Sequence, residues 1–299
     1  MKISRKIQNI GLIVVASIAF IGFIIGCFTE QKLTENVGNF DSLFGIMFTG
    51  FGPLPLLALG TLAGLLLIFV PRIENKNWNI MIRILGGAAV LAMIFAEIKE
   101  GLDYLDFPRM QEQEATYKVL MLVCIAILNL FLILFSRIWV KKADQKLLIP
   151  LCATIIVVIA LYFVTGEAIK YMASRPRPRV VILENRLYYK QWFEWKPLAA
   201  LLDESYKDCK SFVSGHASNT ACLITVLPLT IALFKKENSN KLQIAAIAIG
   251  ALYAFVVAYS RIVAYAHWLT DVMGGIMVSC GIQALIINLA PIVINKFQN

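Results

Sequence analysis

Long apolar stretches with few or no charges alternate with short polar segments along the whole chain. We identify eight, at 10–28, 42–71, 79–96, 119–136, 147–166, 217–234, 242–260 and 272–294. A hydrocarbon core of about 30 Å needs roughly 20 helical residues, so most of these stretches can cross a membrane with some tilt. The pattern predicts an all-α fold, a polytopic membrane helix bundle of about eight transmembrane helices.

Two of the stretches are irregular. The second contains Gly50, Gly52, Pro53 and Pro55, which interrupt a helix near its start. The third includes Arg83, whose charged head must reach the membrane surface while its stem lies along apolar neighbours. We expect the limits of both spans to shift by several residues.

Composition agrees with a membrane as the solvent. Of the 299 residues, 59% are hydrophobic, and the mean hydropathy of +0.73 exceeds what a soluble surface can hide. No internal repeat, low-complexity tract or linker divides the chain. We therefore interpret residues 1–299 as one domain, with 1–146 as its N-terminal spans. Five of the six cysteines fall in predicted spans, which argues against a disulfide framework.

The first stretch admits two interpretations. Lys2, Arg5 and Lys6 precede it, as in a secretory signal, but the stretch is long for a signal and no small-residue cleavage site follows. We favour an uncleaved membrane anchor. The alternative is lipoprotein processing at Cys27, which would leave seven spans and the same topology.

The net charge of +9 is unevenly divided between the two sides that eight spans impose. Loops and tails on the side of the N-terminus carry fourteen basic and three acidic residues, and the opposite side carries the remaining fourteen basic and sixteen acidic residues. Because positive loops stay in the cytoplasm, we expect a multi-pass protein of the cytoplasmic membrane with both termini inside. The scattered basic residues form no nucleic-acid face, so we expect no nucleic-acid partner.

Three polar blocks stand at helix ends on the predicted outer side. They are Lys170 with Arg177 and Pro178; Ser214 with Gly215 and His216; and Ser260 with Arg261, His267 and Asp271. The topology rests on apolar runs and loop charges alone. The convergence of all three blocks on one side therefore favours one shared site.

The first block has the chemistry of an anion site. Pro176 and Pro178 cannot continue the fifth span, and the extended conformations that they favour turn the Arg177 guanidinium away from lipid. Lys170 then offers a point charge, and Arg177 offers a two-pronged donor to phosphate oxygens. The alternative is that these basic residues only anchor a helix end at the headgroups.

The second block precedes the sixth span. Unpaired N–H groups at a helix start favour an anion, and Gly215 lets the backbone approach a ligand closely. His216 at this position can donate a proton to a departing oxygen. The alternative is that Ser214 only caps the helix and His216 is an interfacial residue.

The third block places His267 and Asp271 four residues apart, so we expect both on one face at the start of the last helix. The carboxylate can hold one ring nitrogen and leave the other as an oriented nucleophile or base. The alternative is a structural pair within the bundle. The chain has two histidines, each inside a block, so we expect no metal and no cofactor.

In order and spacing, the three blocks resemble the signature of the type-2 phosphatidic acid phosphatase superfamily, which includes vanadium haloperoxidases and glucose-6-phosphatases. The resemblance covers about residues 170–271. One position differs, because Val213 stands where the family usually has proline.

The resemblance implies a role for each residue. His267 would attack phosphorus to form a phosphohistidine, Asp271 would orient it, and His216 would protonate the leaving group and later activate water. The residues that would bind the substrate phosphate are Lys170, Arg177, Ser214, Gly215 and Arg261. The family core has six helices with the first block closing the third. Here the block closes the fifth, which implies two additional N-terminal helices.

Aromatic residues in the outer loop bear on the substrate. The loop carries Tyr188, Tyr189, Trp192, Phe193 and Trp195, a cluster suited to the headgroup region or to fixing the loop. We expect a membrane lipid substrate such as polyprenyl pyrophosphate, phosphatidylglycerophosphate or phosphatidic acid. The alternatives are a sugar phosphate, transfer of phosphate to another lipid, and a transporter or lipid-binding protein without turnover.

Overall fold

The computed structural model describes residues 4–71, 75–102, 107, 110, 114–143, 145–195, 208–234 and 239–298. These residues form α-helices and one π-helical turn, Arg179–Leu183, with no strand among them. The α-helices are α1 (Arg5–Val37), α2 (Leu43–Gly50), α3 (Leu54–Ile68), α4 (Lys76–Leu102), α5 (Glu114–Lys142), α6 (Gln145–Ala173), α7 (Gly215–Ala221), α8 (Leu223–Phe234), α9 (Asn240–Val263) and α10 (Leu269–Gln298).

The helices confirm the predicted spans. Eight helical segments of the described chain are long and apolar enough to cross a membrane, and each overlaps one predicted stretch. The second span consists of α2 and α3, and the sixth consists of α7 and α8. Large apolar side chains such as Phe28, Leu91 and Val164 are exposed on the outside of the bundle. The protein is therefore a multi-pass membrane protein with an all-α fold.

The two irregular spans have local explanations. The second is interrupted between Gly50 and Leu54, where Pro53 immediately precedes α3. In the third, Arg83 donates from Nη2 to the carbonyl oxygen of Val70 at 3.0 Å, so its charged head reaches the end of α3. Both features agree with the expectation from the sequence.

The N-terminal helices are packed into the bundle. α1 lies along α10, and α3 lies along α4. Gly64 and Gly86 allow the second contact, because a Cβ atom on Gly64 would lie 2.9 Å from the carbonyl oxygen of Gly86. A core of leucine and isoleucine side chains joins α3 to α6 and α8, and a second core joins α1 to α7, α9 and α10. The four N-terminal spans are thus packed into the same bundle as the helices that carry the three polar blocks.

Backbone hydrogen bonds bring the three blocks together at one end of the bundle. α6 ends at Ala173, and Ser174 then adopts a left-handed conformation with φ 43°. The following segment pairs with two other loops: Arg177 N–H donates to the carbonyl of Asp208, and Arg179 N–H donates to that of Tyr265. The ends of α6 and α9 and the starts of α7 and α10 therefore surround a common space.

Candidate active site

A cavity of about 280 Å³ lies at this end of the bundle. Its lining includes six of the eight residues predicted for the site: Lys170, Arg177, Gly215, His216, Arg261 and His267. Ser214 and Asp271 are fully buried behind the lining. A larger groove of about 700 Å³ between α1 and α10 has no charged side chain in its lining. The smaller cavity is therefore the candidate active site.

Basic side chains dominate the cavity wall. Lys170 Nζ lies 2.8 Å from Glu167 Oε1 and beside Gly215, where an added Cβ atom would lie 2.9 Å from Nζ. The absence of a side chain at Gly215 thus lets Lys170 approach the start of α7. Arg261 is buried and contacts the hydroxyl of Thr49 through Nη1. Arg177 lies in the segment after α6, so cations from α6, from that segment and from α9 meet in one cavity.

His267 lies in the loop before α10, with 3% of its surface exposed. Its Nδ1 lies 2.8 Å from the backbone carbonyl oxygen of Ser211. A carbonyl can only accept, so Nδ1 carries the proton and Nε2 keeps its lone pair. Burial, reinforced by Arg177, Arg261 and Lys170, lowers the pKa of His267 well below 6.5. The imidazole is therefore neutral at neutral pH.

Asp271 is placed differently from the expectation. We expected it to share a helix face with His267 and to hold one ring nitrogen, but α10 begins at Leu269, after His267. Asp271 Oδ2 lies 3.9 Å from His267 Nδ1, beyond hydrogen-bond distance. Instead, Oδ2 accepts from the Ser211 hydroxyl at 2.5 Å and from the Trp268 backbone N–H at 2.8 Å. Asp271 therefore contacts the histidine through Ser211.

The other Asp271 oxygen binds a residue that sequence reasoning did not select. Arg175 Nη1 donates to Asp271 Oδ1 at 2.6 Å, and Arg175 Nη2 donates to Glu30 Oε1 on α1 at 2.5 Å. All three side chains are at most 1% exposed. Burial opposes the charge of Arg175, but Asp271 and Glu30 together raise its pKa, so the guanidinium is charged.

His216 lies in the first turn of α7, beyond the Ser214 cap. The Ser214 hydroxyl accepts from the Ala217 backbone N–H at 3.4 Å, as expected for an N-cap. His216 Nε2 lies 2.8 Å from the carbonyl oxygen of Thr49, so Nε2 is the donor in this pair. Its Nδ1 lies 3.7 Å from Glu100 Oε2, at the end of α4. The ring is held between two N-terminal spans.

Val213, the position that differs from the family pattern, is held by side-chain packing. Its side chain is fully buried in an apolar cluster with Phe23, Ala173 and Phe212. Side-chain packing thus fixes the loop before α7 where the family usually has a proline ring.

The aromatic residues that follow the π-helical turn divide into two groups. Tyr188, Phe193 and Trp195 are exposed, in agreement with a headgroup location. Trp192 instead packs edge-on against Phe23, with ring centroids 5.0 Å apart, and Tyr189 packs in the same manner against Trp268. Part of the cluster therefore fixes the loop onto the bundle.

The residues missed from the sequence line the cavity or form hydrogen bonds and ion pairs with the residues of the site. They are Glu30, Thr49, Lys99, Glu100, Arg175, Arg179, Lys210 and Ser211. A charged residue at a helix end is ordinary in a membrane protein, so composition and spacing gave no signal for them. Glu30 differs from an ordinary charged residue at a helix end because it is buried beside Arg175. Burial of this kind is seen only in the three-dimensional structure. Within the described chain, no cluster of three or more His, Cys, Asp or Glu side chains has the arrangement of a metal site.

The fold and the cavity define a helical membrane protein with a cationic, histidine-bearing cavity at one end of its bundle. A family model described as "PAP2 superfamily" matches residues 148–293, from the start of α6 to α10, including all eight predicted site residues. Over these residues the chain belongs to that superfamily, as its sequence predicted. The match assigns this chain the phosphatase activity of the superfamily, with phosphate esters as the substrate class. No curated protein and no solved structure matches the chain significantly.

Proposed function

We propose that this enzyme removes phosphate from a lipid phosphate or pyrophosphate through a phosphohistidine on His267, at the extracytoplasmic face of the cytoplasmic membrane. The observation that carries this proposal is the setting of the His267 ring. Its Nδ1 is held by the Ser211 carbonyl, which leaves the Nε2 lone pair beside a cavity lined by Lys170, Arg177 and Arg261. A neutral, oriented imidazole next to an anion site is the arrangement that nucleophilic attack on phosphorus requires.

The first step transfers the phosphoryl group to the enzyme. The Nε2 lone pair of His267 forms the N–P bond while the bond from phosphorus to the leaving oxygen breaks. His216, once protonated on Nδ1, gives that proton to the leaving oxygen. Glu100, 3.7 Å from Nδ1, stabilises the charged form of His216 before the transfer.

The second step releases phosphate. His216 Nδ1, now neutral, takes a proton from a water molecule, and the water oxygen attacks phosphorus. The N–P bond breaks and its electron pair returns to His267 Nε2. Because Thr49 holds His216 Nε2, the same nitrogen serves in both steps.

Fixed cations stabilise the charge that develops on the transferred group. We propose that Lys170, Arg177 and Arg261 hold its oxygens together with Gly215 at the start of α7, while Ser214, buried behind the lining, caps that helix. Phosphoryl transfer needs mainly positioning and charge stabilisation, so these groups can act without a metal ion.

The charge of the cavity favours a lipid diphosphate within the proposed substrate class. Besides the three cations already named, Lys99, Arg179 and Lys210 line the cavity, while Glu100 and Glu167 are its acidic residues. Lys210 and Lys170 both bind Glu167, so part of this charge is already balanced. The surplus of basic residues can accommodate a second phosphate, and the exposed Tyr188, Phe193 and Trp195 suit a substrate held at the headgroups.

Phosphate release by the purified protein in detergent tests the substrate class. The panel should contain polyprenyl pyrophosphate, phosphatidic acid, phosphatidylglycerophosphate and glucose 6-phosphate. We expect the highest kcat/KM for polyprenyl pyrophosphate. Preference for glucose 6-phosphate would contradict the lipid proposal and leave the phosphatase assignment intact.

The side of the membrane rests on the charge asymmetry of the loops, with the cavity opposite the basic side. We also propose that residues 1–299 act as one domain, because Thr49 and Glu100 of the N-terminal spans contact His216. Cysteines introduced at Lys142 and Arg186 test the topology. We expect an impermeant thiol reagent to label Arg186→Cys in intact cells. Labelling of Lys142→Cys alone would show that the protein has the opposite orientation in the membrane.

A further inference from the structure

α1 carries a glutamate into one of the most enclosed polar clusters of the protein. Glu30 is 1% exposed. Its Oε1 accepts from Arg175 Nη2 and from the Tyr189 hydroxyl, each at 2.5 Å. Its Oε2 accepts from the Thr270 hydroxyl at 2.6 Å and from the Thr270 backbone N–H at 2.9 Å. Four donors therefore satisfy a carboxylate that lies outside the family match.

One guanidinium connects Glu30 to the site. Arg175 binds Glu30 through Nη2, and it binds Asp271 Oδ1 through Nη1 at 2.6 Å. The same Nη1 donates to the Thr270 hydroxyl at 2.7 Å, and Nε donates to the Lys190 carbonyl at 2.8 Å. The planar fork of arginine fixes the relative positions of the two carboxylates. Glu30 thus anchors both Arg175 and the first turn of α10.

Ser211 connects Asp271 to the histidine, because all three of its polar groups are bonded. Its hydroxyl donates to Asp271 Oδ2 at 2.5 Å, and its N–H donates to the Arg175 carbonyl at 3.0 Å. Its own carbonyl accepts from His267 Nδ1 at 2.8 Å. A displacement of Arg175 or Asp271 is therefore transmitted to the acceptor that sets the tautomer and direction of the His267 ring.

We propose that Glu30 is a positioning residue for the nucleophile, acting on His267 through Arg175, Asp271 and Ser211. This inference rests on the proposed phosphohistidine mechanism, and it gives the first N-terminal helix a role in the reaction. Buried ion pairs contribute uncertainly to stability, whereas they can fix one arrangement among several. The predicted effect of Glu30 is therefore on the chemical step.

Glu30→Gln is the direct test. Glutamine offers one acceptor oxygen where the carboxylate offers two, so either the Thr270 N–H or Arg175 loses its partner. Lys170, Arg177 and Arg261 do not contact Glu30, so phosphate binding should persist. We expect kcat and the single-turnover rate of phosphoenzyme formation to fall about 10- to 100-fold, with KM changed by less than about twofold.

Glu97→Gln is the matched control. Glu97 on α4 is also fully buried, and it accepts from Thr61 at 3.0 Å and from Asn129 at 2.5 Å, with no contact to the site. We expect this variant to keep the wild-type kcat even if its thermal unfolding midpoint falls. Equal kcat losses in the two variants would show that Glu30 acts only by supporting the fold, and would overturn the proposal.

Thr270→Val keeps the test decisive if Glu30→Gln does not fold. It removes the hydroxyl that bridges Arg175 and Glu30 while it preserves shape. We expect a smaller loss of kcat, about 3- to 10-fold, again at constant KM. Wild-type kcat in Thr270→Val, or in a folded Glu30→Gln, would refute the role of Glu30. Absence of phosphoenzyme in the wild-type protein would instead refute the proposed function.

Discussion

His267 Nδ1 lies 2.8 Å from the backbone carbonyl oxygen of Ser211, whereas Asp271 Oδ2 is 3.9 Å from the same nitrogen. A main-chain acceptor thus sets the tautomer of the proposed nucleophile. Asp271 acts one residue further away, through its 2.5 Å hydrogen bond with the Ser211 hydroxyl. The Ser211 carbonyl therefore orients the imidazole, whereas the negative charge lies on the Asp271 carboxylate.

The first prediction concerns the Ser211 hydroxyl. Ser211→Ala keeps the carbonyl that binds His267 but removes the donor to Asp271, so the carbonyl should lose its fixed direction. We expect kcat to fall about 10-fold with little change in KM, and Ser211→Thr to retain most activity. Ser136→Ala, a deletion of a buried hydroxyl that bonds the Ile133 carbonyl, is the control. Full activity of Ser211→Ala would show that Asp271 has no influence through Ser211.

The second prediction concerns Glu100 as the partner of the general acid. Glu100→Gln removes the charge 3.7 Å from His216 Nδ1, which disfavours the imidazolium. A poor leaving group needs the proton, whereas nitrophenolate does not. We therefore expect kcat to fall about 10-fold or more with a lipid phosphate and by less than about threefold with nitrophenyl phosphate. Equal losses with both substrates would contradict this role.

Much of the fold was predictable from the sequence, because membrane spans and helix ends are local properties. Apolar runs located all eight spans, and the Gly50 to Pro55 segment marked the break in the second. Because successive spans end on alternate sides of the membrane, the sequence also predicted that the three polar blocks lie at the same end of the bundle. The contacts of Glu30 and Thr49 with the site did not follow, because they depend on how distant helices pack.

The expectation of a direct Asp271–His267 contact failed for a local reason. Four-residue spacing places two side chains on one face only if both belong to the helix. Here Asp271 Oδ2 accepts from the Trp268 N–H and so closes the first turn of α10 after His267. Capping of the helix start thus competes with the pairing that the spacing indicated.

The third prediction concerns pH. Burial and the nearby cations lower the pKa of His267 below 6.5, so the nucleophile stays neutral as pH falls through that value. With nitrophenyl phosphate, which needs no proton from His216, the single-turnover rate of phosphoenzyme formation should be nearly constant between about pH 8 and 6.5. It should decline only in more acidic solution. A decline centred above pH 6.5 would mean that His267 is not shielded as described.

The fourth prediction concerns metal ions and inhibitors. Lys170, Arg177 and Arg261 supply the charge stabilisation, so EDTA should change kcat by less than about twofold. Vanadate, which adopts the geometry of a transferred phosphoryl group, should inhibit competitively with substrate. Arg177→Lys keeps the charge but loses the fork, so it should weaken vanadate inhibition about 10-fold or more. Loss of activity in EDTA with recovery in Mg²⁺ would contradict the account.

The most direct test of the central claim is to trap the phosphoenzyme. Labelled substrate is mixed rapidly with the protein in detergent, the reaction is quenched in alkali to preserve phosphohistidine, and mass spectrometry locates the label. We predict phosphate on His267 in the wild-type protein, none in His267→Ala, and detectable phosphate in His216→Ala when nitrophenyl phosphate is the substrate. Phosphate on His216, or turnover that persists in His267→Ala, would contradict the mechanism.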